Sequence, residues 1–108
     1  MEGRGVSTAA WQRASLPLLM LRVLHSSPRH GYGISQALVD AGLHPITGAQ
    51  LYPALVKLEA DGAISAGWEE GASGPARKVY SLTARGRERL AELENEWQAF
   101  VVAASRVV

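Results

Sequence analysis

A central stretch of the chain, TGAQLYPALVK, combines several side-chain types that proteins use to read nucleic-acid bases. The amide of Gln50 can form two hydrogen bonds with an adenine edge, and the methyl groups of Ala49 and Val56 can touch a thymine methyl. Tyr52 offers a hydroxyl and a ring, and Lys57 can reach a phosphate. If this stretch lies on a helix in a DNA groove, these residue types would favour A·T base pairs.

A glycine-rich turn and a basic segment supply a second set of candidate contacts. The turn GASGPA places Ser73 at a tight tip, and Arg77 and Lys78 follow it directly. Positive charge continues to Arg89, and Glu88 is the one acidic residue in this segment. A local excess of positive charge suits contact with a polyanion. A solvated charged face without a partner is the alternative.

The tripeptide HGY offers a third candidate contact. His30 and Tyr32 stand at the start of a predicted helix, where free backbone amides can bind a phosphate. For His30 the alternative is a hydrogen bond within the protein. For Tyr32 and Tyr80 the alternative is packing in the core, and for Tyr80 we expect core packing.

The sequence lacks the motifs of common catalytic and metal sites. The three histidines, His25, His30 and His44, are scattered, and there is no cysteine. No P-loop or nucleophile elbow occurs. Glu69 and Glu70 are adjacent on a predicted strand and so point to opposite faces. We therefore expect neither an enzyme nor a metal site, and no cofactor.

Length and composition predict one small domain. The chain has 108 residues and a net charge of +1, and 47% of its residues are hydrophobic. Its most apolar run, LPLLMLRVL, is too short to span a bilayer. The polar N-terminal residues predict no signal peptide. We expect a cytoplasmic protein without a membrane contact.

Capping signals and periodicity define the helices that must position these residues. Residues 1–13, apart from Trp11, are expected to be loosely ordered. Ser15 is expected to cap a first helix, and residues 32–39 to form a second. Thr47 and Gln50 match a capping box, which predicts a third helix from Thr47. Its leucines recur at helical spacing and predict one buried stripe, made of Leu51, Leu55 and Leu58.

Pro53 lies within this third helix. Counted from its start, the proline is at about the sixth position, so its missing donor removes one bond near the helix end and does not break the centre. On the helical wheel Pro53 lies opposite the leucines, among small and weakly charged side chains. That outer face suits close contact with another molecule, and an ordinary surface helix is the alternative.

Two strands and a last helix complete the pattern. Residues 63–70 and 77–83 are typical of strands joined by a turn, and Thr83 is the expected cap of the last helix. This order of elements is that of a winged helix-turn-helix, whose third helix enters the DNA major groove. We predict an α+β, mostly α fold. Its parts are an N-terminal extension (1–14), partly disordered or in a dimer interface, a winged helix-turn-helix (15–82) and a dimerisation helix (83–108).

The last helix carries an apolar heptad pattern that suits a partner helix, formed by Leu90, Leu93, Trp97, Phe100, Ala104 and Val107. A two-fold homodimer would place two recognition helices roughly 34 Å apart. A helix that folds back on its own domain is the alternative.

Trp97 and Phe100, with Trp11 near the same seam, would also suit a flat aromatic ligand. Plain dimer core is the interpretation that we favour.

Several strings in the chain together resemble one known family. HGY, LYPAL, LE-x-x-G-x-I, G-P-x-R-K-x-Y and L-T-x-x-G occur in order and at matching intervals over about residues 16–97. In this combination the chain resembles the PadR family of bacterial transcriptional regulators, in its short branch with a single C-terminal helix. The resemblance implies a homodimeric winged-helix repressor with LYPAL on the recognition helix. A winged helix that binds protein instead of DNA is the alternative.

Overall fold

The computed structural model describes residues 8–71 and 74–108. Its helices are α1 (Ala9–Ala14), α2 (Leu16–Ser26), α3 (Gly31–Asp40), α4 (Gly48–Ala60) and α5 (Ala84–Ser105). Its strands are β1 (Arg29–His30), β2 (Ile64–Glu69) and β3 (Arg77–Leu82). The predicted α+β, mostly α fold is confirmed, and its order of helices and hairpin is that of a winged helix-turn-helix.

The segment before α2 is more ordered than its composition indicates. α1 is held against the loop before α4 by Gln12, which is 5% exposed. Its Nε2 donates to the carbonyl oxygen of His44 at 2.8 Å, and its Oε1 accepts from the amide of His44 at 2.9 Å. Ser15 stands at the N-cap position of α2, as expected, but its side chain makes no capping bond because the residues before it are themselves helical. The Ser15 hydroxyl instead donates to the carbonyl of Trp11 at 2.9 Å.

The hairpin belongs to a three-stranded antiparallel sheet with the order β1-β3-β2. Its register pairs Ile64 with Leu82 and Trp68 with Lys78, so these residues share one face. β1 pairs with the other edge of β3 and is not predicted by the sequence. A strand of two residues has no periodicity, and only its partner defines it.

The core lies between the helices and one face of the sheet. Met20, Leu21, Ile34 and Leu55 are fully buried at its centre. The predicted leucine stripe of α4 is buried, and Pro53 on the opposite face is exposed. Because α4 continues to Ala60, the proline does not break it.

Three contacts fix the start and direction of α5. The Thr83 hydroxyl accepts from the amide of Gly86 at 2.9 Å, which confirms the predicted cap. Gly86 packs so closely that a β-carbon there would lie 2.0 Å from the carbonyl oxygen of Ala63. Further along, Arg22 of α2 donates to both carboxylate oxygens of Glu94, at 2.7 and 2.5 Å.

Candidate nucleic-acid interface and dimer surface

The exposed face of α4 has the character that the wheel predicts. Ala49, Tyr52, Pro53, Val56 and Lys57 are all exposed on it. Within it only Lys57 is charged, although Tyr52 and Val56 are more than half exposed. Because a solvated helix face usually carries several charges, this composition is typical of a face that meets a partner closely.

Gln50 has a second function at the start of α4. The Thr47 amide donates to Gln50 Oε1 at 3.3 Å, and the capping-box arrangement is present. Gln50 is half-buried, whereas its neighbour Ala49 is exposed. The side chain therefore caps the helix, and reading an adenine edge would require it to give up that bond.

The HGY segment lies against α4. A β-carbon on Gly31 would lie 3.5 Å from the Leu51 side chain and 3.7 Å from the Tyr52 ring, so α3 begins beside the exposed face of α4. His30 Nε2 lies 3.1 Å from a Glu69 carboxylate oxygen, which is the internal hydrogen bond expected as the alternative for His30. Tyr32 is 76% exposed and does not pack in the core.

The wing carries Arg77 and Lys78 as exposed residues at the start of β3. Lys78 Nζ lies 4.0 Å from a Glu59 carboxylate oxygen and 5.8 Å from the centre of the Tyr80 ring, so it leans toward the end of α4. Trp68, across the hairpin from Lys78, is exposed. Ser73, the predicted tip contact, lies outside the described residues.

Tyr80 is 6% exposed, which confirms the expected core position. Burial raises the pKa of its hydroxyl, and the nearby Glu59 and Tyr52 raise it further. Tyr80 therefore stays neutral within the core.

The basic segment does not act as one surface. The Arg85 Nε donates to the carbonyl oxygen of Asp61 at 2.9 Å. Arg89 lies 2.9 Å from Glu92 and 3.6 Å from Glu96, so carboxylates balance its charge. The charge run in the sequence thus separates into three parts: Arg77 and Lys78 are exposed on the wing, Arg85 is bound to the end of α4, and Arg89 is ion-paired on α5.

The three aromatic residues predicted near the seam line one groove. An apolar groove of about 440 Å³ between α1, the start of α2 and α5 is lined by Trp11, Trp97 and Phe100, with Pro17 and Leu93. The rings of Trp97 and Phe100 are 6.4 Å apart, centre to centre. We call this the aromatic groove.

The residues of the predicted dimer seam on α5 differ in how exposed they are. Leu90 is only 8% exposed and belongs to the core of its own chain, so it offers little surface to a partner helix. Leu93 and Trp97 are half-buried, whereas Phe100, Ala104 and Val107 are exposed. The helix therefore folds onto its own domain over its first half and leaves an uncovered apolar end.

Other residues that shape this region have no recognisable signal in the sequence. Gln12 and Arg22 occur in patterns that predict ordinary surface positions, yet each makes paired bonds to a distant part of the chain. The Arg22 bond to Glu94 holds the pKa of that carboxyl below its usual range. Gly86 is anticipated only as part of the L-T-x-x-G string.

Neither metal ligation nor membrane insertion has structural support in the part of the chain that is described. No group of three His, Asp or Glu side chains there could hold a metal ion. None of the described helices is both long and apolar enough to cross a bilayer.

Comparisons with known proteins agree on one family. Residues 20–92 match the family model described as the transcriptional regulator PadR-like family. The transcriptional regulator Rv3488 of Mycobacterium tuberculosis is 35% identical over 82 residues, which are 76% of this chain and 75% of that protein.

Solved structures give the same result over most of the chain. A PadR family regulator from Eggerthella lenta superposes with a TM-score of 0.84 at 31% identity, covering 93% of this chain and 87% of that one. A PadR-like transcription factor from Bacteroides fragilis gives 0.78 at 31% identity, with coverages of 94% and 97%. The family consists of regulators that bind DNA and not of enzymes. With the family model covering most of the winged helix, this chain belongs to the PadR-like family of transcriptional regulators.

Proposed function

We propose that the protein is a repressor that binds a pseudo-palindromic operator as a homodimer. The observation that carries this proposal is the exposed face of α4, which is weakly charged, rich in small side chains and opposite a buried leucine stripe. A helix of that kind fits the major groove without leaving unpaired charges against the bases. A cytoplasmic location follows from the same role.

Direct base contacts are assigned to the exposed face of α4. Ala49 and Val56 would contact thymine methyl groups, and Tyr52 would add a ring and a hydroxyl. Pro53 keeps the middle of this face free of a long side chain, and Thr47 starts the helix at the groove. Gln50 contacts a base only if its side chain gives up the capping bond and forms a hydrogen bond with that base instead.

Phosphate contacts are assigned to the elements on either side of α4. Arg77 and Lys78 on the wing would follow the DNA backbone, and Lys57 would reach it from α4. Ser73, which lies outside the described residues, is a further candidate from the sequence alone. At the start of α3, His30 and Tyr32 are the further candidates. These contacts fix the position of the protein on DNA, and base contacts determine its sequence preference.

The dimer is assigned to the apolar end of α5. Phe100, Ala104 and Val107 are exposed along one stripe, and the aromatic groove beside them is open. A second copy related by a two-fold axis would cover both surfaces at once. In this assignment residues 15–82 bind DNA, residues 83–108 join the subunits, and residues up to 14 contribute Trp11.

A flat aromatic effector is a further part of the proposal. The aromatic groove has the size and the apolar lining of a small-molecule site. A ligand stacked on Trp97 would change how α5 packs across the seam, and so the spacing of the two recognition helices. A plain dimer core at the same place is the interpretation that competes with it.

Selection of bound duplexes from random DNA tests the proposed function. We expect recovery of an inverted repeat whose half-sites are one helical turn apart, bound by a dimer in sedimentation analysis. Arg77→Ala with Lys78→Ala should weaken binding and make the slope of log K against log salt shallower by up to about 3–4. Arg87→Ala, an exposed arginine on α5 away from the wing, is the matched control.

The results also separate this proposal from the alternative function. A folded protein that enriches no sequence and binds random duplexes no better than a charge-matched protein would exclude the repressor role. A winged helix that binds protein would then be the better hypothesis. An unchanged affinity and salt slope in the wing variant would remove only the wing from the interface.

A further inference from the structure

A second cleft, separate from the aromatic groove, lies between the N-terminal helices, α4 and the start of α5. Its volume is about 300 Å³, at the lower end of the range for small-molecule sites. Its apolar floor includes Leu16, Leu58 and Leu93. Leu93 and Pro17 also line the aromatic groove, so the two cavities share a wall. We call this second cavity the basic cleft.

The rim of the basic cleft is strongly positive. Arg13, Lys57, Arg85 and Arg89 line it, with Asp61 as its one carboxylate. Arg89 is balanced by Glu92 and Glu96, and Arg85 uses its Nε on a neutral carbonyl oxygen. Within residues 8–71 and 74–108, the side chains of Arg13 and Lys57 make neither a hydrogen bond nor an ion pair. Three cationic side chains therefore face one carboxylate across an apolar floor.

This charge balance indicates which anion the cleft would accept. The lining carries four cations against one carboxylate, and the more exposed Glu92 and Glu96 beside Arg89 reduce this excess of three to one when they are counted in full. A phosphate monoester near neutral pH, with a charge of roughly −1.5 to −2, lies within that range. Arginine forks also match phosphate geometry with paired hydrogen bonds. The floor would bury a small apolar body attached to the phosphate.

We propose that the basic cleft is a binding site for a small phosphate monoester with an apolar or aromatic body. Arg13 and Lys57 bind the phosphate, Arg85 adds its free guanidinium nitrogens, and the leucine floor covers the body. No covalent step is involved. The residues come from α1, α4 and α5, so an occupied site ties the recognition helix to the helix that carries the dimer seam.

One consequence for regulation depends on the proposed DNA-binding function. Lys57 is assigned there to a DNA phosphate, and a bound monoester would compete for the same ammonium group. DNA affinity should therefore fall when the cleft is occupied. Binding of the monoester itself does not depend on that function and can be measured without DNA.

Protein NMR of the full chain tests the site with three probes at matched ionic strength. Phenyl phosphate has both features, benzoate keeps the ring with one charge, and inorganic phosphate keeps the charge without a ring. We expect saturable shifts around Lys57, Arg85 and Leu93, with phenyl phosphate binding about tenfold tighter than either control.

Variants locate the binding within the protein. Arg13→Gln with Lys57→Gln should weaken phenyl phosphate binding by about tenfold or more. Both side chains are exposed and make no bond to the described residues, so the fold should persist, as the spectrum will show. Arg87→Gln, an arginine outside the cleft, should bind as the wild type does. Equal affinity for phenyl phosphate and benzoate, shifts centred on the aromatic groove, or unchanged binding by the double variant would each overturn the site.

DNA binding is the last measurement. On a duplex recovered by the selection, saturating phenyl phosphate should weaken wild-type binding, while benzoate at the same ionic strength should not. Phenyl phosphate that binds the cleft without changing DNA affinity would refute the regulatory consequence alone. A third outcome combines two results: the wild type binds no phenyl phosphate, and the double variant loses DNA affinity. The cleft would then be part of the DNA interface, and the proposal would be refuted.

Discussion

Replacement of Gly86 by alanine should destabilise the protein more than its small size suggests. Gly86 is buried in the first turn of α5, where the helix crosses the end of the segment before β2. An added β-carbon would lie 2.0 Å from the carbonyl oxygen of Ala63 and 2.6 Å from the Leu82 side chain. Ordinary contacts begin at 3.4 Å, so the nearest atom must move by about 1.4 Å, the difference between 3.4 and 2.0 Å.

The movement has a further cost because the same carbonyl is already used. Ala63 accepts a hydrogen bond from the amide of Thr83 at 3.1 Å, which holds β3 to the start of β2. Overpacking costs about 1–3 kcal/mol, with more for rigid backbone, and a lost hydrogen bond about 1 kcal/mol. The better helix propensity of alanine returns about 1 kcal/mol. With the overpacking cost at its upper end, because the obstructing Ala63 oxygen is backbone, the net loss is about 3 kcal/mol. Such a loss should lower Tm by roughly 12–24 °C in a chain of this size.

Thermal and urea unfolding at one fixed protein concentration will measure this loss. Gly33→Ala in α3 is the matched control, because its nearest neighbour would be at 3.4 Å and its φ is not in the left-handed region. We expect the control to be as stable as the wild type or more stable by up to about 1 kcal/mol. If Gly86→Ala melts within a few degrees of this control, the close packing of α5 on Ala63 does not determine the direction of α5.

Three further variants test single residues. Gln50→Ala should lower the free energy of unfolding by about 1 kcal/mol, because the capping bond is lost. It should also weaken binding to a selected operator by about 1–3 kcal/mol for each base pair that Gln50 reads. An equal loss of affinity for random DNA would mean that Gln50 positions the helix and reads no base. Glu94→Gln should be less stable than the wild type at neutral pH. Its bond to Arg22 lowers the pKa of the folded carboxyl, so the difference should shrink as pH falls below about 4.3, and a constant difference would contradict the pairing. Trp97→Ala should cost about 3–5 kcal/mol and dissociate the proposed dimer in ultracentrifugation if the residue is seam core. A stable mutant dimer that has lost fluorescence quenching by planar aromatic compounds would instead place it in an effector site.

The parts of the fold that were predictable from the sequence depend on local interactions. The cap at Thr47, the leucine stripe of α4, the hairpin and the cap at Thr83 all involve residues within a few positions of one another. Helical periodicity places Pro53 on the outer face for the same reason. Four of the predicted interface positions, Ala49, Tyr52, Pro53 and Lys57, therefore share that exposed face.

Other features depend on which distant segments meet, and no local pattern encodes that. A heptad count treats Leu90 and Phe100 alike, but packing on α2 buries the first and leaves the second exposed. The short β1 exists only because β3 offers an open edge. Similarly, the charge run in the sequence does not show which arginines are paired.

By itself the sequence determined the class of fold, the family and the outward face of α4, because hydrophobic period, caps and turn residues act over one or two helical turns. Tertiary structure alone brought Arg13, Lys57 and Arg85 together around one cleft, and it placed Trp11, Trp97 and Phe100 around another. Those residues are separated by up to 89 positions, from Trp11 to Phe100. Their approach depends on how the helices cross in the core, where each side chain is placed by packing against several segments at once.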